Sequence, residues 1–183
     1  MARPLASLSV AIALLAAPAA FAAEEGPKNT ITVIWRGSLP IAYELGMYGI
    51  EWERGAGPMT FYFAPSMGNP LSQPLTVGLD VGLRFFAFSP APGGFFVGPQ
   101  LSGQYIHGPL PGRPSLTMTG GAKVGAVFGY TLLVNNVFVV SIAVGGEYFR
   151  FYEYSPGGAI AQVPGKFGEN LGVTLRGALG FAF

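Results

Sequence analysis

Apolar residues alternate with small or polar residues along most of the chain beyond residue 30. In the clearest run, 75–85, apolar side chains occupy every second position and Thr, Gly, Asp and Arg stand between them. Because successive side chains of a β-strand point to opposite faces, this period predicts strands with one apolar and one polar face. Similar runs lie at 59–63, 95–105, 116–134, 138–147 and 173–183. The pattern therefore predicts an all-β chain.

The uncharged stretch 124–146 is long enough to cross a membrane as a helix, but its residues favour a hairpin. Asn135-Asn136 at its centre is a turn signal, the valines around it are β-branched, and its glycines weaken a helix. A two-residue loop would put the two alternating patterns out of phase, so we expect a three-residue connection with a bulge. In that register Glu147 lies opposite Lys123 or one diagonal step away.

Connections between the runs set the number and direction of the strands. Short connections are predicted at 55–58, 90–94 and 135–136, and longer Pro/Gly-rich loops at 68–74, 108–114 and 155–170. Such alternation of short and long connections is typical of bacterial membrane barrels, which have an even number of strands. A strand at 31–36 completes a set of eight. The alternative is one long, bent first strand, with the N-terminal segment lying inside the barrel.

The apolar phase changes between Met47 and Ile50, which predicts a β-bulge near Tyr48-Gly49. Taken together, the runs predict an eight-stranded antiparallel up-and-down barrel. A lipocalin-like barrel with its apolar face inside is the alternative for a secreted protein. Here the charged residues share a face with most of the glycines, which favours a polar, crowded lumen and an apolar exterior.

Composition excludes several other classes of protein. The chain has ten Lys+Arg, nine Asp+Glu, one His and no Cys. Because basic and acidic residues are nearly equal in number, the chain lacks the excess positive charge that attracts nucleic acid. Without Cys there is no disulfide framework or thiolate, and His107 alone offers no cluster of metal ligands. We therefore expect no metal and no cofactor.

Residues 1–22 have the pattern of a secretory signal peptide. A positive residue, Arg3, precedes an apolar run at 5–17, and Ala20-Phe21-Ala22 is a small-x-small cleavage site. An uncleaved anchor is disfavoured because the apolar run is short and Pro18 closes it. Residues 23–183 are then expected to form one domain.

The last predicted strand resembles the assembly signal of outer-membrane barrels, in which a polar residue, a glycine, a hydrophobic residue and an aromatic residue have fixed spacing. Arg176, Phe181 and Phe183 match it, and Ala178 stands where Gly is usual. With the stretch 94–101, this strand makes the mature chain similar to small barrels of the opacity-protein and porin-like superfamily.

That resemblance implies a monomeric transmembrane barrel in the bacterial outer membrane, with both termini in the periplasm. Its partners would be outer-membrane lipid and, through the last strand, the barrel assembly machinery. Roles in that family range from adhesion and envelope integrity to passage of small hydrophobic molecules. A carrier or narrow channel for such molecules or for ions is therefore the alternative to a structural or surface role.

An eight-stranded barrel is filled by its own side chains, and charges inside it must pair. The inward phase contains six charged residues that we predict to form a structural network rather than a gated ion path: Glu44, Asp80, Arg84, Lys123, Glu147 and Arg176. For three other charged residues, the position of the predicted bulge decides whether the side chain faces the lumen: Arg36, Glu51 and Glu53.

No catalytic constellation is recognisable, and we expect no enzyme. A barrel deacylase would need His and Ser two residues apart on one strand, whereas His107 is followed by Gly108 and Pro109 and is expected at the rim of an external loop. An acyltransferase would need an apolar slot, which a charged lumen does not provide.

The hairpin around Asn135-Asn136 keeps its alternation for longer than the about 9 to 11 residues that a strand needs to cross a membrane. Its far end should project, and it contains Phe149, Arg150, Phe151 and Tyr152. With the loops at 108–114 and 155–170, these residues predict an external contact surface for envelope lipid or for molecules of a host or neighbouring cell. The alternative is that the rings belong to an aromatic girdle at the membrane boundary.

Overall fold

A closed, eight-stranded antiparallel barrel is the architecture of the computed structural model, which describes residues 27–39, 46–68, 75–110, 113–154, 160–162 and 171–183. The strands are β1 (Asn29–Leu39), β2 (Met47–Ala56), β3 (Met59–Met67), β4 (Leu75–Ala87), β5 (Gly94–Leu110), β6 (Arg113–Val134), β7 (Phe138–Tyr154), β8 (Ile160–Gln162) and β9 (Leu171–Ala182). Strands β1 to β7 pair in chain order, and β9 closes the sheet between β7 and β1. The short β8 pairs with β7 beyond the end of β9.

The predicted barrel of eight strands is confirmed, and its first strand is separate from the second. We call the end with the three tight turns, at 57–58, 88–93 and 135–137, the lower end, and the opposite end the upper end. No helix long and apolar enough to cross a bilayer occurs in the ranges that the structure describes. The predicted signal peptide lies outside those ranges.

Alternation along each strand separates an apolar exterior from a polar interior. On β9, Leu179, Phe181 and Phe183 are exposed, whereas Thr174 and Ala178 are buried. The same division holds on the other barrel strands, since the buried polar set includes threonines, serines and glutamines from many of them. This polarity is the reverse of a lipocalin, and it is the arrangement that the sequence pattern favoured.

The hairpin of β6 and β7 has the predicted three-residue connection. Val134 pairs with Phe138, and the loop consists of Asn135, Asn136 and Val137. Both asparagines have φ of 55°, a left-handed conformation that Asn tolerates better than most residues. The stretch 124–146 is thus a pair of strands.

The predicted bulge near Tyr48-Gly49 is wrong. The register of β2 with β1 runs without a shift from Met47 opposite Arg36 to Arg54 opposite Asn29. Met47 faces the interior although it is apolar, because its sulfur contacts lumenal polar groups. The hydrophobicity of Met47 therefore predicted the outer face, whereas the side chain lies inside. The apolar residues before it that predicted the same alternation lie outside the described ranges.

The predicted loop at 108–114 is also wrong. Strand β5 continues to Leu110 and β6 starts at Arg113, with a register shift between Pro109 and Leu110. Proline is tolerated at such irregularities because the ladder of hydrogen bonds is interrupted there. His107 accordingly lies within β5, on the outer face, where its ring stacks on Tyr105 with 6.5 Å between centroids.

Three strands are much longer than the rest. β5, β6 and β7 have 17, 22 and 17 residues, whereas β1 to β4 and β9 have 9 to 13. The β6–β7 ladder extends to the pair Met118 and Tyr154. This hairpin and β5 therefore extend beyond the other strands along one side of the upper end, and its projection from a membrane stays a prediction.

Aromatic rings inside the barrel lie directly opposite glycines of the neighbouring strand. The pairs in register are Tyr62 with Gly82, Phe96 with Gly129, and Phe151 with Gly121. A Cβ atom added to any of these glycines would overlap the ring facing it. Glycine therefore supplies the space that lets large rings fit inside so narrow a barrel.

We expect Gly129→Ala to destabilise the barrel by about 1 to 3 kcal/mol, because the methyl group would overlap the Phe96 ring and the Ile142 carbonyl. Gly120→Ala is the matched control on the same strand, since its methyl group would meet nothing within 4 Å. Urea unfolding of the refolded proteins in detergent measures both. Equal midpoints for the two variants would contradict the proposed role of the glycine.

Candidate functional site

The lumen contains equal numbers of buried cations and carboxylates among the described residues. Four are cations and four are acids, and each is no more than 7% exposed: Arg36, Arg84, Lys123, Arg176, Glu51, Glu53, Asp80 and Glu147. All the predicted network residues except Glu44 are in this set, and Glu44 lies outside the described ranges. The three residues that depended on the bulge also face inward. The interior is therefore electrically balanced in the part of the chain that the structure describes.

Arg84 is the centre of the lower cluster of charges. Its two terminal nitrogens donate to Glu51 and Glu53, each at 2.7 Å from a carboxylate oxygen. These acids are two residues apart on β2, so alternation places both in the lumen. Arg176 donates to the same oxygen of Glu51, and the Thr60 hydroxyl donates to Glu53. The two guanidinium groups thereby offset the repulsion between neighbouring carboxylates.

A tyrosine ring lies between these arginines. The guanidinium carbons of Arg84 and Arg176 are 4.5 and 4.8 Å from the centre of the Tyr62 ring. The Tyr62 hydroxyl donates to Gln100 at 3.3 Å. Cation–π contacts stabilise desolvated guanidinium groups, so Tyr62 belongs to the network although it bears no charge. The alternation with outward Phe61 and Phe63 predicts that Tyr62 faces the lumen, but not that its ring contacts two arginines.

A second ion pair joins Arg36 on β1 to Asp80 on β4. Arg36 also lies directly opposite Arg176 in the ladder between β1 and β9. Adjacent like charges destabilise a sheet. Here the two arginines bond different carboxylates, Asp80 for Arg36 and the Glu51 shared with Arg84 for Arg176, which offsets their repulsion.

Lys123 and Glu147 form the predicted lumenal pair. The Lys123 Nζ atom is 3.3 Å from Glu147 Oε1 and 3.4 Å from the Ser38 hydroxyl. Glu147 is opposite Gly125, so the two charged residues are one diagonal step apart. Both side chains are 1% exposed. The pair therefore has little access to water and depends on its own geometry.

An apolar cluster lies at the lower end of the lumen, next to the buried hydroxyls of Thr131 and Ser141. The rings of Phe86 and Phe96 are 5.5 Å apart and pack with Val127. Ala91, from the turn between β4 and β5, joins this cluster from below. The turn thus covers the lower mouth and leaves an apolar plug beneath the charged layer.

The predicted contact surface at 149–152 is divided between two faces, so its assignment as one surface is wrong. Phe149 and Phe151 are 5% and 2% exposed and face the interior, with 5.7 Å between ring centroids. Arg150 and Tyr152 face outward. The alternation of β7 continues to its upper end, so adjacent residues cannot share a surface. The two phenylalanines instead cover the interior near its upper mouth.

Ion pairing between fixed side chains is the chemistry that this arrangement supports. The only histidine of the sequence lies on the outer face, away from the lumenal carboxylates. Within the described ranges no group of three or more His, Asp or Glu is placed to hold a metal ion. No protein-family model, curated protein or solved structure matches the chain. Function is therefore inferred from the geometry of the barrel itself.

Replacing either Lys123 by Met or Glu147 by Leu should destabilise the barrel by about 3 to 5 kcal/mol, because the remaining partner becomes an unpaired buried charge. The double variant should cost less than the worse single variant. Urea unfolding provides the measurement, with Arg54→Gln as a control for loss of an exposed charge. A double variant as unstable as the worse single one would show that the two residues are not coupled.

Proposed function

We propose that this protein is an integral barrel of the bacterial outer membrane, with a filled lumen and a structural role in the envelope or a role in surface interactions. The distribution of polarity carries the proposal. Large apolar side chains occupy the outer face of every barrel strand, while the described ion pairs lie inside. A closed barrel also pairs the backbone hydrogen-bonding groups of its strands with one another. This is necessary in a bilayer, where no water is present to bond an open strand edge.

Aromatic residues on the outer face support this location. One group lies towards the lower end and includes Trp52, Phe95, Phe138, Phe181 and Phe183. Another lies towards the upper end and includes Trp35, Tyr48, Tyr105, Tyr148 and Tyr152. Aromatic girdles of this kind mark the two water interfaces of membrane barrels, and the aliphatic belt between them matches the hydrocarbon layer.

The tight turns suggest the orientation, since short connections of such barrels face the periplasm. In this orientation both ends of the barrel chain, at Asn29 and Phe183, are periplasmic, and their backbones are joined by two hydrogen bonds of 3.0 and 2.9 Å. The proposal retains the resemblance to the opacity-protein and porin-like superfamily. It also retains cleavage after residue 22 and recognition of β9 by the assembly machinery.

The filled interior favours a closed barrel over an open pore. Paired charges occupy the middle of the lumen and apolar rings occupy its lower end. We assign no reaction to the barrel, because its one histidine lies on the outer face, stacked on Tyr105. A structural or surface role therefore accounts for more of the described residues than a channel, a carrier or an enzyme does.

Expression in a bacterial host and fractionation of the cells test the location. The protein should be found in the outer-membrane fraction and should migrate differently on a gel before and after boiling. Phe183→Ala should reduce the amount of folded barrel several-fold if β9 is the assembly signal. Phe88→Ala, an exposed phenylalanine in a lower turn, is the control and should assemble normally. A soluble protein with no heat-dependent shift would overturn the proposal.

Reconstitution into planar bilayers tests the filled lumen. The wild-type barrel should show no large, steady conductance, because side chains fill an eight-stranded barrel and its lower plug is apolar. Flotation of the same preparation with vesicles verifies insertion. Stable openings to small ions in inserted protein would favour the channel alternative.

A further inference from the structure

The outer face of the described residues has cations but no carboxylates. Arg54 and Arg150 are exposed there, the first towards the lower end and the second towards the upper end. The four acids whose side chains the structure describes are all lumenal. The exterior therefore has positive charge near both ends of the apolar belt and none within it.

Arg150 is held in place by tyrosines of the same strand. Its Nε atom donates to the Tyr148 hydroxyl at 3.0 Å, and its guanidinium carbon is 5.7 Å from the centre of that ring. The Tyr152 hydroxyl, two residues further along the same face, also interacts electrostatically with the guanidinium group. Because the three residues are two apart on β7, they share the outer face. The tyrosines reduce the conformational freedom that a long exposed side chain would otherwise lose on binding.

A shallow recess adjoins Arg150 on the neighbouring strands. Ala122 on β6 is opposite Arg150, and Gly103 on β5 is opposite Ala122. One row above, Gly120 lies between Tyr105 and Tyr152. A Cβ atom built on Gly103 or Gly120 would meet nothing within 4 Å. Small residues thus form a floor between aromatic side chains, and we call this the Arg150 recess.

The height of the recess corresponds to a membrane boundary. Strand β7 starts at Phe138, and a tilted strand crosses the hydrocarbon layer in about 9 to 11 residues. The crossing therefore ends near Tyr148, immediately below Arg150. The row beneath the recess consists of Leu101, Val124 and Tyr148, of which the first two are more than half exposed and apolar.

We propose that the Arg150 recess binds the phosphate-bearing headgroup of an anionic membrane lipid. Arg150 contacts the phosphate, because guanidinium N–H groups match phosphate oxygens in geometry and charge. The acyl chains lie along Leu101 and Val124 on the apolar belt. This inference rests on the proposed membrane location, and it adds a specific lipid class and a specific site on the barrel wall.

Competition between two lipids tests the site. Purified barrel is incubated with equal amounts of phosphatidylglycerol and phosphatidylcholine that have the same acyl chains, and the retained lipids are counted by native mass spectrometry. The wild type should prefer phosphatidylglycerol. Arg150→Gln should lower that preference about fivefold, because it removes the charge-assisted hydrogen bonds between the guanidinium group and the headgroup phosphate. The double variant Tyr148→Phe and Tyr152→Phe should lower it less, since it keeps the charge and loses only the two hydroxyl groups beside the guanidinium.

Arg54→Gln is the matched control, because it removes an exposed arginine of the outer face at the opposite end. It should keep most of the wild-type preference. An unchanged preference in Arg150→Gln, or an equal loss in Arg54→Gln, would overturn the site. If Arg150→Gln fails to fold by its heat-dependent gel shift, the tyrosine double variant decides the question, and an unchanged preference there overturns the site as well.

Vesicle flotation of the wild type separates the two proposals. Wild type that inserts without preferring phosphatidylglycerol contradicts the Arg150 recess alone and leaves the membrane location intact. Wild type that does not enter vesicles of either lipid contradicts the outer-membrane function and the recess together.

Discussion

Pairing of lumenal charges is the constraint on which the rest of the barrel depends. Transfer of an ionised side chain from water to a protein interior costs several kcal/mol unless a partner of opposite charge and additional hydrogen bonds offset it. The structure meets this condition by contacts between distant strands, as in Arg36 with Asp80 and Arg84 with Glu51 and Glu53. These ion pairs therefore link strands that are not neighbours in the sheet, whereas Lys123 and Glu147 join the adjacent strands β6 and β7.

The sequence predicted the face of most residues because a strand has only two faces and one must be apolar. That rule was sufficient for the barrel, for the three-residue turn at Asn135, and for the pair Lys123 and Glu147. It was misleading at Met47, where an apolar residue bonds polar groups inside the lumen. The same rule also holds at 149–152, where the density of aromatic residues suggested a single surface. Successive residues of a strand face opposite sides, so these four residues are divided between the lumen and the outer face.

What fills the lumen was harder to predict than which residues face it. Periodicity assigns Tyr62, Phe86 and Phe96 to the interior, but their partners depend on register between strands that are far apart in sequence. Phe96 fits because Gly129 is opposite it, and Tyr62 fits because Gly82 is opposite it. The glycines were visible as small residues of the polar face. Their pairing with rings follows only from the tertiary arrangement.

The seam between β1 and β9 joins the two ends of the barrel sheet, and it also places Arg36 beside Arg176. Two guanidinium groups approach each other as this seam forms, and their carboxylates come from β2 and β4. Pairing of β1 with β9 is therefore more favourable when β2 and β4 place Glu51 and Asp80 beside the two guanidinium groups. The electrostatics of the lumen thus favour closure of the ring with Glu51 and Asp80 beside these arginines over closure without them.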